Sequence, residues 1–131
     1  MMIGLDTGFF LELMQGNKDA MRVWESGLDD QAELAVCSLT LFEIERLGLK
    51  DKLEHWEVVL EAIEAVALVI WLDRDSLNLA ARLSHGLGIP AIDSLILACL
   101  VSHGCTDIFT TDGHLEKYQS NKVIVRNLRK P

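Results

Sequence analysis

Glu33-Leu34-Ala35-Val36-Cys37-Ser38-Leu39-Thr40-Leu41-Phe42-Glu43-Ile44 is the stretch whose reading decides the fold. After Glu33 it is a short continuous apolar run, as a strand buried on both faces requires. Ser38 follows at once and reads as a helix N-cap, with Leu39 to Leu49 continuing as a helix. A buried strand that passes directly into a helix is half of a crossover unit, and such units pair strands in parallel.

The same alternation extends in both directions. Met2 to Leu5 reads as a strand, Thr7 to Met14 as a short helix broken at Gly16-Asn17, and Lys18 to Gly27 as a second helix. Asp51 to Val66 predicts a helix with Trp56, Val59, Leu60 and Ile63 inward and Glu54, Glu57, Glu61 and Glu64 outward. Leu68 to Leu72 is a strand, Asp75 to His85 a helix ended by Gly86 and Gly88, and Ala91 to His103 a helix with Pro90 in its first turn. Asp107 to Thr110 and Lys122 to Val125 complete the strands. The expectation is a single domain over residues 1–131, a three-layer α/β/α architecture around a mostly parallel sheet.

Bulk composition narrows the classes. Half of the 131 residues are hydrophobic, which excludes a disordered chain, while charges interrupt every apolar run before it reaches a membrane span. The N-terminus lacks a basic region and a cleavage signal, so a cytoplasmic protein is expected. Cys37, Cys99 and Cys105 are odd in number and form no CxxC pair, which predicts buried thiols rather than a disulfide framework. His55, His85, His103 and His114 show no HxxxH spacing, which disfavours zinc and leaves a hard cation with oxygen ligands. The net charge of −8 opposes nucleic-acid binding in bulk, although Lys117, Lys122, Arg126, Arg129 and Lys130 make the tail basic. That tail reads either as a solvated terminus or as a strip facing phosphates or an acidic partner.

Four acids stand apart from the rest. Asp6 ends the first strand, Glu43 sits mid-helix between Phe42 and Ile44, Asp93 opens the helix after Gly88-Ile89-Pro90-Ala91-Ile92, and Asp112 follows the strand ending at Thr110. Each borders an apolar element, where an unpaired carboxylate is costly. In a parallel sheet the ligand site lies at the carboxyl ends of the strands, near a topological switch point, and all four acids can reach that rim. A cap role for Asp6, a dipole role for Asp93 and a turn role for Asp112 are the simpler alternatives for each taken singly. A shared cation accounts for all four together. Thr7, Ser38, Thr110 and Thr111 are the hydroxyls placed to orient such ligands.

Leu5-Asp6-Thr7, Ser38…Glu43, Ile89-Pro90-Ala91-Ile92-Asp93-Ser94-Leu95-Ile96-Leu97-Ala98 and Thr110-Thr111-Asp112, in that order, resemble a PIN-domain ribonuclease of the VapC toxin type over essentially the whole chain. The resemblance implies a Mg²⁺ or Mn²⁺ site at Asp6, Glu43, Asp93 and Asp112, endonuclease activity on RNA and a cognate antitoxin. A homodimer is also expected, with the basic tail and the apolar helix faces near Trp24 and Trp56 serving self-association or the antitoxin. A PIN-like binding module and a stand-alone RNA-processing nuclease are the alternatives. Two positions depart from the pattern: Gly8 replaces a frequent Ser or Asn, and Leu115 replaces a frequent aromatic. Gly8 also speaks against a haloacid-dehalogenase-like phosphatase, which would carry a second aspartate there.

Overall fold

In the computed structural model, which describes residues 1–129, the chain builds one five-stranded sheet. Its strands are β1 (Met2–Leu5), β2 (Glu33–Cys37), β3 (Leu68–Ile70), β4 (Asp107–Thr110) and β5 (Ile124–Asn127). The helices are α1 (Thr7–Met14), α2 (Lys18–Leu28), α3 (Ser38–Leu49), α4 (Trp56–Val66), α5 (Arg74–Leu87) and α6 (Ala91–Ser102). Every strand pair is parallel, in the order β3-β2-β1-β4-β5. The chain lays strands outward to one side of β1 and then returns to β1's other edge with β4. The switch point is therefore the β1–β4 seam, and the crevice beyond its carboxyl end is where a ligand fits.

Strand alternation divides the core in two. Ile3, Leu5, Leu34 and Val36 face α1 to α4, packing on Phe9, Phe10, Ile44 and Ile63. Ala35, Cys37 and Ile108 face α5 and α6, packing on Ala80, Leu83, Ile96, Leu97 and Leu100. These are the outer layers of an α/β/α sandwich. All three cysteines are free thiols and buried.

Several local expectations are corrected. The expected helix Asp51 to Val66 begins only at Trp56. Asp51 and His55 have φ of 58° and 56°, so the chain reverses twice in left-handed backbone between α3 and α4. The reversal brings Trp56 onto α3 at Gly48, where a Cβ would lie 2.1 Å from the indole ring, so only glycine lets the helices approach. Ser38 is the first residue of α3, not its cap; Cys37 takes the cap position and makes no side-chain capping bond. Helix α5 runs through Gly86 and ends at Gly88, whose φ of 67° stops it, while Asp73 caps its start through Ser76 N–H. Pro90 occupies the cap position of α6 rather than its first turn. The last strand lies two residues later than expected, because Ile124 pairs with Asp107 and Asn127 with Thr110.

Candidate active site

Asp6 is the residue that leaves β1, and its position is over-determined. Its N–H bonds Phe109 O at 3.3 Å, continuing the β1–β4 ladder by one step. Its Oδ1 accepts the Phe9 N–H at 3.0 Å and so caps α1. Its Oδ2 accepts the Thr110 hydroxyl at 2.5 Å, and that same hydroxyl accepts the Asp112 N–H at 2.9 Å. Cap role and rim position thus coincide in one side chain. Asp6 is only 7 % exposed. Burial pushes its pKa up to about 6, against the pull of Thr110 and Phe9, with the charges of Asp112 and Glu43 adding to the rise.

Glu43 stands one helical turn and more into α3, on the side that faces α1. Its Oε1 accepts the Thr7 hydroxyl at 2.5 Å, with the buried Thr40 hydroxyl 3.4 Å from Thr7. Asp6, Glu43 and Asp93 then line one cleft of about 230 Å³, with Leu11, Leu47, Ile96 and Leu115 as its apolar wall. None of these three acids is in an ion pair with Lys or Arg among the described residues.

Asp93, in the first turn of α6, faces Asp112 across the rim. Burial, then a shared hydrogen bond and the charge of Asp112, then the charges of Glu43 and Asp6, push its pKa up to about 7. Asp112 is also pushed up by burial, but donors outweigh this and hold it below the usual range: the His114 N–H, the Asp93 carboxyl and the His114 ring. Asp112 caps the 3₁₀ turn Gly113–Lys117, accepting the His114 N–H at 2.9 Å and meeting His114 Nδ1 at 2.8 Å. Asp93, Asp112 and His114 each offer a ligand atom within 4.8 Å of the others.

Of the hydroxyls expected beside the acids, Thr7 and Thr110 bond them directly, on Glu43 and Asp6. Thr111 instead packs on α1: a Cβ at Gly8 would lie 2.1 Å from Thr111 Oγ1. The Gly8 departure is therefore steric, since β4's end fills the space a side chain there would need. Ser38 bonds none of the four acids among the described residues. Leu115, the other departure, is 1 % exposed and packs the cleft wall as an aliphatic. His114 and Thr40 were not singled out by sequence; the Asp-Gly-His order at 112–114 was the available signal for the histidine. In the basic tail, half-exposed Arg126 pairs with Asp107 at 3.0 Å, which offsets part of its charge. Lys117 and Lys122 are exposed, and Lys130 lies outside the described residues. Trp24 and Trp56 are half-buried against the core, and the more exposed apolar surface is carried by residues such as Phe42, Leu49 and Trp71.

Comparison with known proteins points the same way. Residues 3–121 match the family model described as PIN domain. VapBC2 from Rickettsia felis, solved bound to a promoter DNA fragment, superposes with a TM-score of 0.73 at 16 % identity, covering 97 % of this chain and 98 % of that one. VapBC-1 from nontypeable Haemophilus influenzae gives 0.72 at 17 % identity, covering 99 % and 100 %. FitAcB from Neisseria gonorrhoeae gives 0.62 at 24 % identity, covering 96 % and 97 %. At these identities the likeness is one of fold. No curated protein matches the sequence. No helix among the described residues is long and apolar enough to cross a membrane.

Proposed function

The chain belongs to the PIN-domain family, and from that premise we propose that it is a divalent-metal-dependent endoribonuclease, the toxin of a toxin–antitoxin pair. The observation that carries this reading is the gathering of Asp6, Glu43 and Asp93 in one cleft, with Asp112 against Asp93 and no basic partner for the first three among the described residues. Carboxylates that raise one another's pKa are a poor device for stability and a good one for holding a cation. The donor set fits Mg²⁺ or Mn²⁺, which take carboxylate oxygens and keep open positions for water and phosphate. Asp6, Glu43, Asp93 and Asp112 would hold the ion. A bound divalent cation would supply Lewis-acid stabilisation of the phosphodiester and a more acidic water.

The remaining work falls to the chain itself. Thr110 fixes the Asp6 carboxylate from β4, and Phe9 N–H fixes its other oxygen from α1. Thr7 fixes Glu43. These two acids are thus each held in one orientation by a neighbour, before substrate arrives. Lys117, on the turn that carries His114, Lys122 and Arg129 are exposed cations of the tail available to an RNA backbone on a chain of net charge −8.

An antitoxin partner is supported by the neighbours, several of which were solved as toxin–antitoxin complexes, and by a groove in which the exposed Phe42 and Leu49 lie with Leu41 and Leu60. A homodimer is part of the same reading; sedimentation showing only monomer at micromolar protein would remove it.

The test of the activity uses purified chain and single-stranded RNA. Cleavage is expected with Mg²⁺ or Mn²⁺, none with EDTA, and little from an Asp6→Asn protein prepared identically. Equal cleavage by mutant and wild type would assign the activity to a contaminant. Binding of RNA that survives EDTA without cleavage would instead identify a binding module.

A further inference from the structure

We infer that His114 adds an imidazole ligand beside Asp93 and Asp112 to the cation site described above, and so selects a first-row transition ion such as Mn²⁺ over Mg²⁺. The inference rests on the metal-dependent reading above and specifies its ion. Its basis is geometric. The ligand atoms of Asp93, Asp112 and His114 lie within 4.8 Å of one another. His114 Nδ1 is 2.8 Å from Asp112 Oδ1. Adjacent donors on a six-coordinate ion with bonds of about 2.1 Å are about 3 Å apart, so the pair already has the spacing of two neighbouring ligands.

The histidine is held in place from two sides. Its backbone N–H bonds the same Asp112 oxygen that its ring faces, at 2.9 Å. The next residue, Leu115, is buried in the core and anchors the turn. The imidazole itself is half exposed and is not packed in either core cluster, so filling the interior does not explain its placement. It stands at the rim with Nδ1 hydrogen-bonded to Asp112, and an ion bound there would replace that hydrogen bond with two ligand bonds.

The choice of ion follows from ligand chemistry. Mg²⁺ is hard, gives up water reluctantly and binds oxygen. First-row transition ions accept imidazole nitrogen beside carboxylate oxygen. A third donor that is nitrogen therefore adds affinity for Mn²⁺ and little for Mg²⁺.

The experiment titrates the metal-free full chain with MnCl₂ and with MgCl₂ by calorimetry, and records the spin-echo modulation of bound Mn²⁺. Wild type is expected to bind Mn²⁺ at least about tenfold more tightly than Mg²⁺ and to show nitrogen coupling. His114→Ala should lose the coupling and about tenfold in Mn²⁺ affinity, with Mg²⁺ affinity nearly unchanged. His114→Asn, which keeps a side chain able to hydrogen-bond Asp112, should also lose the coupling. The wild-type spectrum needs no variant to fold. Bound Mn²⁺ without nitrogen coupling, or equal loss of both ions in His114→Ala, would overturn the inference and leave the metal-dependent nuclease reading intact. Binding of neither ion at millimolar concentration would overturn both.

Discussion

Thr110 Oγ1 donates to Asp6 Oδ2 at 2.5 Å, joining two residues 104 positions apart at the carboxyl ends of β4 and β1. The bond exists because β1 and β4 are neighbours in register, Leu5 opposite Phe109. It stabilises the ionised form of an acid that burial pushes the other way. Thr110→Val removes the donor at constant shape and should cost about 1.5–3 kcal/mol of stability at pH 8, where Asp6 is charged. It should also raise the Asp6 pKa beyond about 6 and move the acidic limb of the pH–rate profile upward. Thr110→Ser should restore both. Urea denaturation and the rate profile read the two effects, and a Thr110→Val protein as stable as wild type at pH 8 would show that the bond carries no weight.

Gly8 and Thr111 compete for one space. Gly8→Ala places a Cβ 2.1 Å from Thr111 Oγ1, so the threonine must turn away or the backbone must shift. The expected cost is about 1–3 kcal/mol. Thr111→Ala in the same chain should recover at least about 1 kcal/mol of it, because the two residues couple through contact. Purely additive losses in a double-mutant cycle would mean that the crowding is absorbed elsewhere.

The metal-free protein should be more stable at pH 5 than at pH 8. Asp6 and Asp93 have folded pKa values of about 6 and about 7, above the model-peptide 3.8 that applies unfolded. Between these limits the native state binds more protons than the unfolded state, so stability falls as pH rises. Asp73 and Asp112, held below the usual range, change protonation at lower pH, outside this window. Asp93→Asn should flatten the dependence, and Mn²⁺ or Mg²⁺ should reverse it by binding the ionised cluster. Thermal melts in EDTA at the two pH values provide the check; a higher melting temperature at pH 8 would contradict the assignment.

The four acids should act as a unit. Asp6→Asn, Glu43→Gln, Asp93→Asn and Asp112→Asn are each expected to lower RNA cleavage by roughly 10²-fold or more. Circular dichroism should stay native, because Asn keeps the oxygen through which Asp6 caps α1 and Asp112 caps its turn. Two or more variants with wild-type cleavage would dissolve the site.

The amino-acid order alone determined the layered architecture and singled out the candidate acids. Apolar runs separated by amphipathic segments can be satisfied only by a parallel sheet covered on both faces, and that periodicity is a property of near neighbours. Asp6, Glu43, Asp93 and Asp112 were legible because each interrupts or borders such a run. Features that depend on residues far apart were decided by tertiary structure. The left-handed turns at Asp51 and His55 follow from the fit of Trp56 on Gly48, which no local propensity announces. The two-residue shift of β5 is set by its pairing with β4, so hydrophobicity alone mislaid it. Ser38 has a capping side chain, yet the chain enters α3 one residue earlier. Gly8 stood out only as a departure from a frequent Ser or Asn until the residue after β4, Thr111, came against it, and His114 had no recognisable ligand spacing until its turn brought its ring to Asp112. The physical reason is common to all of these: a sequence specifies which groups seek burial or a partner, while strand register and helix packing decide which groups meet.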